Sequence, residues 1–479
     1  MNKLIIYSIA LFSVVAASCS DWLDVKPRSQ TSVSEMFASE NGFTDAMTGV
    51  YINLTSRKLY GQTLTMKEIE YLAQHWDLGG TTTENAFLTY DYNSSQILAS
   101  TDLVFSLMYN NIANINSILE HIDENKDVFT LGMYEMVKGE ALALRAFCHF
   151  ELLRLFGPVP TLIKEGKVLP YVKTISKDVH AYHSYQEYIQ YIEEDFKNAE
   201  QLLSQVDPIH DFSVEDLNDP LSQGINNLHQ GYRKYKMNYF AVKGVMARFY
   251  LWTQNKQKAY EYAMHVIQAQ NPDGSYKYNL GTKDDLDRYD RTLSKEHLWS
   301  LSAYDLQSNV ESLFLTGVLK QHDYIISYVF DRNLTDIRYE YLWKTVVDTR
   351  GNESFTIMKY FLEEDVAEDQ PSTQKQIIPL LRLSEMYLIA IECSELTESS
   401  TLYKEYAGSR NLIANDFINE QDRQDILIKE YRKEFYGEGQ MFYAYKRLMA
   451  DRIFLYRSPA TEETYVVPLP AREIGMIEN

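Results

Sequence analysis

The residues of this chain best suited to chemistry are aromatic rings set beside polar groups. His75-Trp76-Asp77 is followed by Asn85, Tyr90 and Tyr92, and later come Tyr304, Tyr324, Tyr328, Tyr339, Tyr341 and Trp343. A ring of this kind offers a flat apolar face, and an amide, carboxylate or guanidinium beside it takes polar groups, so together they suit a ligand with both kinds of surface. On that chemistry Trp76, Asp77, Asn85, Tyr90, Tyr92, Tyr304, Tyr324 and Trp343 are the candidate ligand-binding residues. Trp76 is the first choice, because it lies in an irregular segment rather than on an amphipathic helix face like Trp252. Trp299, inside the apolar run His297-Leu298-Trp299-Ser300-Leu301, is expected in the core.

Catalytic patterns are missing. The chain has no Gly-x-Ser-x-Gly elbow, no phosphate-binding loop and no His-Glu-x-x-His helix. Gly437-Glu438-Gly439 lacks the third glycine and the preceding strand of a dinucleotide site. No catalytic residue, cofactor or metal ligand is therefore expected. The carboxylate pair of a glycosidase leaves no local signature, so a secreted α-helical hydrolase stays open as a second function class. The acidic run Asp284 to Asp290 lacks the sharp-turn glycine and closing Glu of a calcium loop, and reads as a solvated turn before it reads as a calcium site.

The chain has 479 residues, 46 Lys plus Arg and 67 Asp plus Glu, for a formal charge of −21. With 45% hydrophobic and 24% charged residues it is composed as a soluble globular protein. The charge argues against a nucleic-acid partner, which needs a basic face. Three Cys do not make a disulfide scaffold. Tyr, at 37, outnumbers Phe (21) and Trp (5) together. Met1 to Lys3 is positive, Leu4 to Ala17 is almost wholly apolar, and Ala16-Ala17-Ser18-Cys19 follows. The run is too short to span a bilayer and fits a secretory signal. The small residues before a Cys favour a lipoprotein signal, residues 1–18, with Cys19 lipidated, over a plain signal peptide. Cys148 and Cys393 fall in apolar helical patterns and are expected as buried free thiols.

The elements that must position the rings are mostly helical. Residues 20–40 are polar and irregular, and Asn41 is the expected cap of a first helix carrying Phe43, Met47 and Val50. Residues 56–100 break the pattern, with Gly79-Gly80 and Thr81 to Thr83, and it returns from Thr101. Gly139 to Phe156 is apolar on most faces, so it belongs mid-core, and Gly157-Pro158 stops it. Residues 204–235 form a polar excursion. Tyr239 to Trp252, a turn at Asn255, and a second helix with Ala259 and Ala263 make a hairpin like a tetratricopeptide unit. Further helix pairs are expected at 379–415 and at 422–450. Residues 270–375 carry turns and short strand-like runs. The fold class is mainly α: a tetratricopeptide-like helix-hairpin scaffold with large irregular loop excursions.

Five segments in order carry a resemblance. They are Cys19-Ser-Asp-Trp-Leu-Asp-Val-Lys-Pro27, Gly139 through Pro160, Arg382-Leu-Ser-Glu-Met-Tyr-Leu-Ile-Ala390, Tyr431 through Phe442, and Pro468-Leu-Pro-Ala-Arg-Glu-Ile474. The chain resembles the SusD/RagB family of surface lipoproteins. The resemblance implies a SusD-like fold on four helix hairpins, with 19–230 and 231–479 forming one compact unit, and no catalysis. It implies an outer-membrane location, lipid-anchored and facing outside, and a TonB-dependent outer-membrane transporter as partner. It implies an oligosaccharide ligand, or in some members a peptide. Arg145 and Glu385, polar residues on apolar helices, are read as structural and paired inside.

Overall fold

The computed structural model describes residues 33–78, 84–315, 317, 319–347, 351, 353–361 and 376–477. Cys19, the signal segment 1–18 and the Gly79 to Thr83 run lie outside the described residues.

Eleven of the helices carry the argument here: α1 (Glu40–Leu54), α2 (Ser95–Ile122), α3 (Met133–Phe156), α4 (Tyr185–Val206), α5 (Tyr239–Trp252), α6 (Lys256–Ile267), α7 (Asp323–Val329), α8 (Leu383–Cys393), α9 (Leu396–Ser409), α10 (Glu420–Glu434) and α11 (Met441–Leu448). The mainly α class is as expected, and the hairpins α5–α6, α8–α9 and α10–α11 fall where the sequence places helix pairs. In the first, Asn238 accepts from the Ala241 N–H and Asn255 from the Lys258 N–H, so each helix starts on a side-chain cap. Ala259 and Ala263 are fully buried and let the helices approach closely.

α3 is central, with every residue from Gly139 to Phe156 buried. Gly139 has a packing reason: a Cβ there would lie 2.8 Å from Leu203 Cγ of α4. Two boundaries differ from expectation. α1 is capped by Ser39, whose oxygen takes the Gly42 N–H, rather than by Asn41. α2 begins at Ser95, six residues before Thr101. Residues 56–100 also hold two short helices, Glu68–Leu72 and Asn85–Leu88. α4 was not foreseen, although its capping box, Ser184 with Glu187, is a sequence-level start signal.

Three antiparallel pairs complete the fold: β1 (Lys167–Pro170) with β2 (Tyr182–Ser184), β3 (His297–Ser302) with β6 (Ile377–Arg382), and β4 (Trp343–Val347) with β5 (Glu353–Ile357). β3 is the expected strand-like run, and its Trp299 is wholly buried. One hydrophobic core runs from Phe37 to Val467.

Several buried charges are paired. Arg145 grips Asp195 with two bonds of 2.7 and 2.8 Å, and Arg248 grips Glu385 with two of 2.6 Å. Contacts cross residue 230: Arg233 bonds Asp207 at 2.8 Å and also Glu140. Deeper, Arg338, Arg382 and Arg410 all meet Glu434. Burial alone would raise that carboxyl, but the three guanidiniums hold it well below the usual carboxylate range. Cys148 and Cys393 are free thiols, Cys148 buried and Cys393 half-buried; burial pushes the Cys148 thiol up to about 12.

Candidate functional site

Trp76 is a core residue, against the expectation from its irregular segment. It is 2% exposed, its indole N–H donates to the Met66 carbonyl at 2.9 Å, and it packs on Phe314 and Tyr436 with centroids at 5.5 and 5.1 Å. Trp343 is corrected likewise: at 7% exposure it stacks on Phe355 at 5.7 Å and meets Tyr436 edge-on at 4.9 Å. The cause is a distant strip of chain laid over residues 75–78. The Asp77 N–H donates to the Lys320 carbonyl at 3.0 Å, and Gln321 Nε2 donates to the His75 carbonyl at 3.2 Å. Gln321 and Phe355 exchange backbone bonds of 3.0 and 3.1 Å, and the Tyr436 hydroxyl closes on the His75 carbonyl.

This aromatic interior carries a second set of rings on its outer side. Asp77 emerges from it, and its carboxylate lies 2.8 Å from His322 Nε2. The His322 ring stacks on Tyr324 at 5.4 Å and 21°. Tyr324 and Tyr328 sit one turn apart on α7, 65% and 62% exposed, while Ile326 and Val329 face inward. Tyr328 stacks at 6.2 Å and 11° on Phe454, and the Arg432 guanidinium lies 4.3 Å over Phe454. The result is a row of four rings, His322, Tyr324, Tyr328 and Phe454, with a carboxylate at one end and a guanidinium at the other.

The row is held from both sides. Beyond the C-terminal end of α7, Asp331 takes Lys429 and Lys433 of α10 at 3.0 and 3.1 Å. Arg432 Nη2 donates to the Tyr445 hydroxyl at 2.8 Å, and that hydroxyl takes the Phe454 N–H at 3.2 Å. Open ring faces with polar ends suit a ligand with both apolar and hydroxylated surfaces.

The remaining candidates do not join the row. Tyr90 and Tyr92 are half-buried, with hydroxyls donated to the Leu72 and Thr464 carbonyls at 2.8 and 2.7 Å, and burial pushes both phenols well up. Asn85 is half-buried at the start of its four-residue helix. Tyr304 is 88% exposed, and no ring contact connects it to the row. Of the eight candidates, Asp77 and Tyr324 join the row through His322, while Trp76 and Trp343 meet inside with centroids 6.4 Å apart. Sequence reading missed His322, Phe454 and Arg432. The i, i+4 spacing of Tyr324 and Tyr328 around inward apolar residues was a usable signal, whereas Phe454 and Arg432 arrive from remote chain.

The acidic run spends its carboxylates locally. Asp285 caps the Thr282 N–H at 2.8 Å, Asp290 takes the Ser294 N–H at 2.8 Å, and Asp287 takes the Tyr341 hydroxyl at 2.5 Å. Among the described residues, no group of three or more His, Cys, Asp or Glu could hold a metal ion.

Residues 21–213 match the family model SusD-like_3, described as starch-binding and associating with the outer membrane. SusD-like protein P25 of Formosa agariphila is 21% identical over 332 residues, which is 67% of this chain and 54%, about half, of that protein's length. Among solved structures, a SusD superfamily protein from Bacteroides thetaiotaomicron matches with a TM-score of 0.67 and 20% identity, over 92% of this chain and 98% of the other. A SusD-like carbohydrate binding protein from Bacteroides vulgatus matches with a TM-score of 0.69 and 17% identity, over 92% and 97%. The structural likeness carries the fold along nearly the whole chain, and the sequence match to the SusD-like_3 model covers its N-terminal part, residues 21–213.

Proposed function

We propose that this protein is a surface lipoprotein of the outer membrane that binds a nutrient glycan on the α7 aromatic row and delivers it to a TonB-dependent transporter without catalysis. The observation that carries the reading is the pair Tyr324 and Tyr328, 65% and 62% exposed on one helix face between Asp77–His322 and Phe454–Arg432. An aromatic residue left this open has no packing role that requires it, and the row offers successive flat faces to successive sugar rings. The description of the matching family model, starch-binding and associating with the outer membrane, supports the same reading.

The test is a titration of purified residues 20–479 against soluble plant, algal and host glycans by calorimetry. Each ring stacked on a sugar is worth about 1–2 kcal/mol, so Tyr324→Ala and Tyr328→Ala should each weaken binding about 5- to 30-fold. Both are surface changes, so stability should move by no more than about 0.5 kcal/mol. Full affinity in both variants would remove the row from the site. New reducing ends during incubation with a bound glycan would replace the binding reading with the hydrolase reading.

A further inference from the structure

A second opening lies apart from the row. A cavity of about 520 Å³ sits between α2, the β1–β2 pair and the helix Ala471–Ile477. Its size falls in the range of small-molecule sites, about 300–1,000 Å³. The floor is aromatic and apolar. Phe105 and Tyr109 pack at 4.7 Å, the Tyr109 hydroxyl donates to the Pro170 carbonyl at 2.9 Å, and the Tyr182 hydroxyl is held by Glu473. These rings are fixed in place by the fold itself, before any ligand arrives.

The rim differs. The side chains of Asn110, Asp178 and His180 line the cavity, and among the described residues none of them has a hydrogen-bond or ion-pair partner. An amide, a carboxylate and an imidazole together can accept from and donate to several hydroxyls. The one guanidinium present is committed: Arg472 bonds Ser106 Oγ at 2.6 Å and pairs with Asp102 at 3.2 Å. No spare fixed cation faces the cavity, while the carboxylates of Asp178 and Glu473 do. That charge balance selects against an anionic ligand.

We infer that this cavity is a second binding site, for a single neutral sugar ring stacked on the Tyr109–Tyr182 floor with its hydroxyls at Asn110, Asp178 and His180. The inference uses the cavity's own chemistry and does not depend on the α7 row. The probes are the methyl glycosides of glucose, galactose, mannose and xylose, with glucuronate as the anionic control. Binding is read by saturation-transfer NMR and located by soaking crystals. At least one neutral glycoside should occupy the cavity. The double variant Asp178→Ala/His180→Ala should weaken it about 10-fold, the effect of one or two lost hydrogen bonds, with an unchanged melting temperature. Tyr324→Ala/Tyr328→Ala should leave it intact, so failure here is separable from failure of the row. The inference is overturned if no neutral glycoside enters the cavity, if the double variant binds as well as the parent, or if glucuronate binds more tightly.

Discussion

His75-Trp76-Asp77 and His322-Asp323-Tyr324 are alike on paper: each sets one large ring beside a His and an Asp in a segment without clear periodicity. Their fates are opposite, since Trp76 is 2% exposed and Tyr324 is 65% exposed. The two segments meet where the Asp77 carboxylate lies on His322, while the Trp76 ring packs inward on Phe314 and Tyr436. Trp76→Ala is therefore expected to act as a core truncation and cost about 3–5 kcal/mol of stability. Chemical denaturation of the variant measures it directly. A loss under 1 kcal/mol would mean that the ring does not carry the packing assigned to it. Legibility at this scale was partial: residue type and neighbours identified rings with polar company, but the direction each ring faces is set by chain far away.

β3 shows how an element can make stability respond to pH. His297 is fully buried at its start; Nε2 lies 2.9 Å from the Thr292 carbonyl and Nδ1 lies 2.9 Å from Ser300 Oγ. The ring is neutral with its proton on Nε2, the tautomer this bonding pattern requires. Burial, with the cations of Lys234, Arg382 and Lys359 nearby, pushes its pKa down to about 3. In the unfolded chain the same group titrates near 6.5. The folded form thus binds the proton more weakly. The stability from neutral His297 is complete above about pH 6.5 and is lost as pH falls towards 3, at up to about 1.4 kcal/mol per pH unit. Replacing His297 by Gln should flatten the fall in unfolding free energy between pH 6.5 and 4, whatever it does to stability at pH 7. Equal slopes in parent and variant would sink the assignment. The helices were the most legible elements, because caps and 3.6-residue periodicity are local. α4 too carries a local start signal, the Ser184–Glu187 capping box.

At the scale of the whole molecule, the irregular excursions are fastened to the helical scaffold by buried ions as well as by apolar packing. Arg338, on the short helix Ile337–Leu342, reaches Glu430 and Glu434 of α10, and Lys359, just after β5, reaches Glu438. The proposed anchor and partner also belong to this scale. Cys19→Ala should move the protein from the membrane pellet to the soluble fraction and abolish palmitate labelling. Extraction of the unaltered protein in mild detergent should co-purify a much larger transporter. A variant that still pellets and labels would remove the anchor, and recovery of the monomer alone would count against the partner. The sequence by itself determined the helical class, the hairpins α5–α6, α8–α9 and α10–α11, the β3 strand with its buried Trp299, and the internal roles of Arg145 and Glu385. All of these follow from periodicity, capping and the cost of burying an unpaired charge, which neighbouring residues encode. Only the tertiary structure decided which aromatic residues face solvent. An irregular backbone leaves exposure undetermined: residues 75–78 are covered by a strip near residue 321, a sequence separation of 246. The row itself closes only when Phe454 and Arg432 fold back beside Tyr328. Burial is a property of which distant segments meet, and no local pattern of residue types carries it.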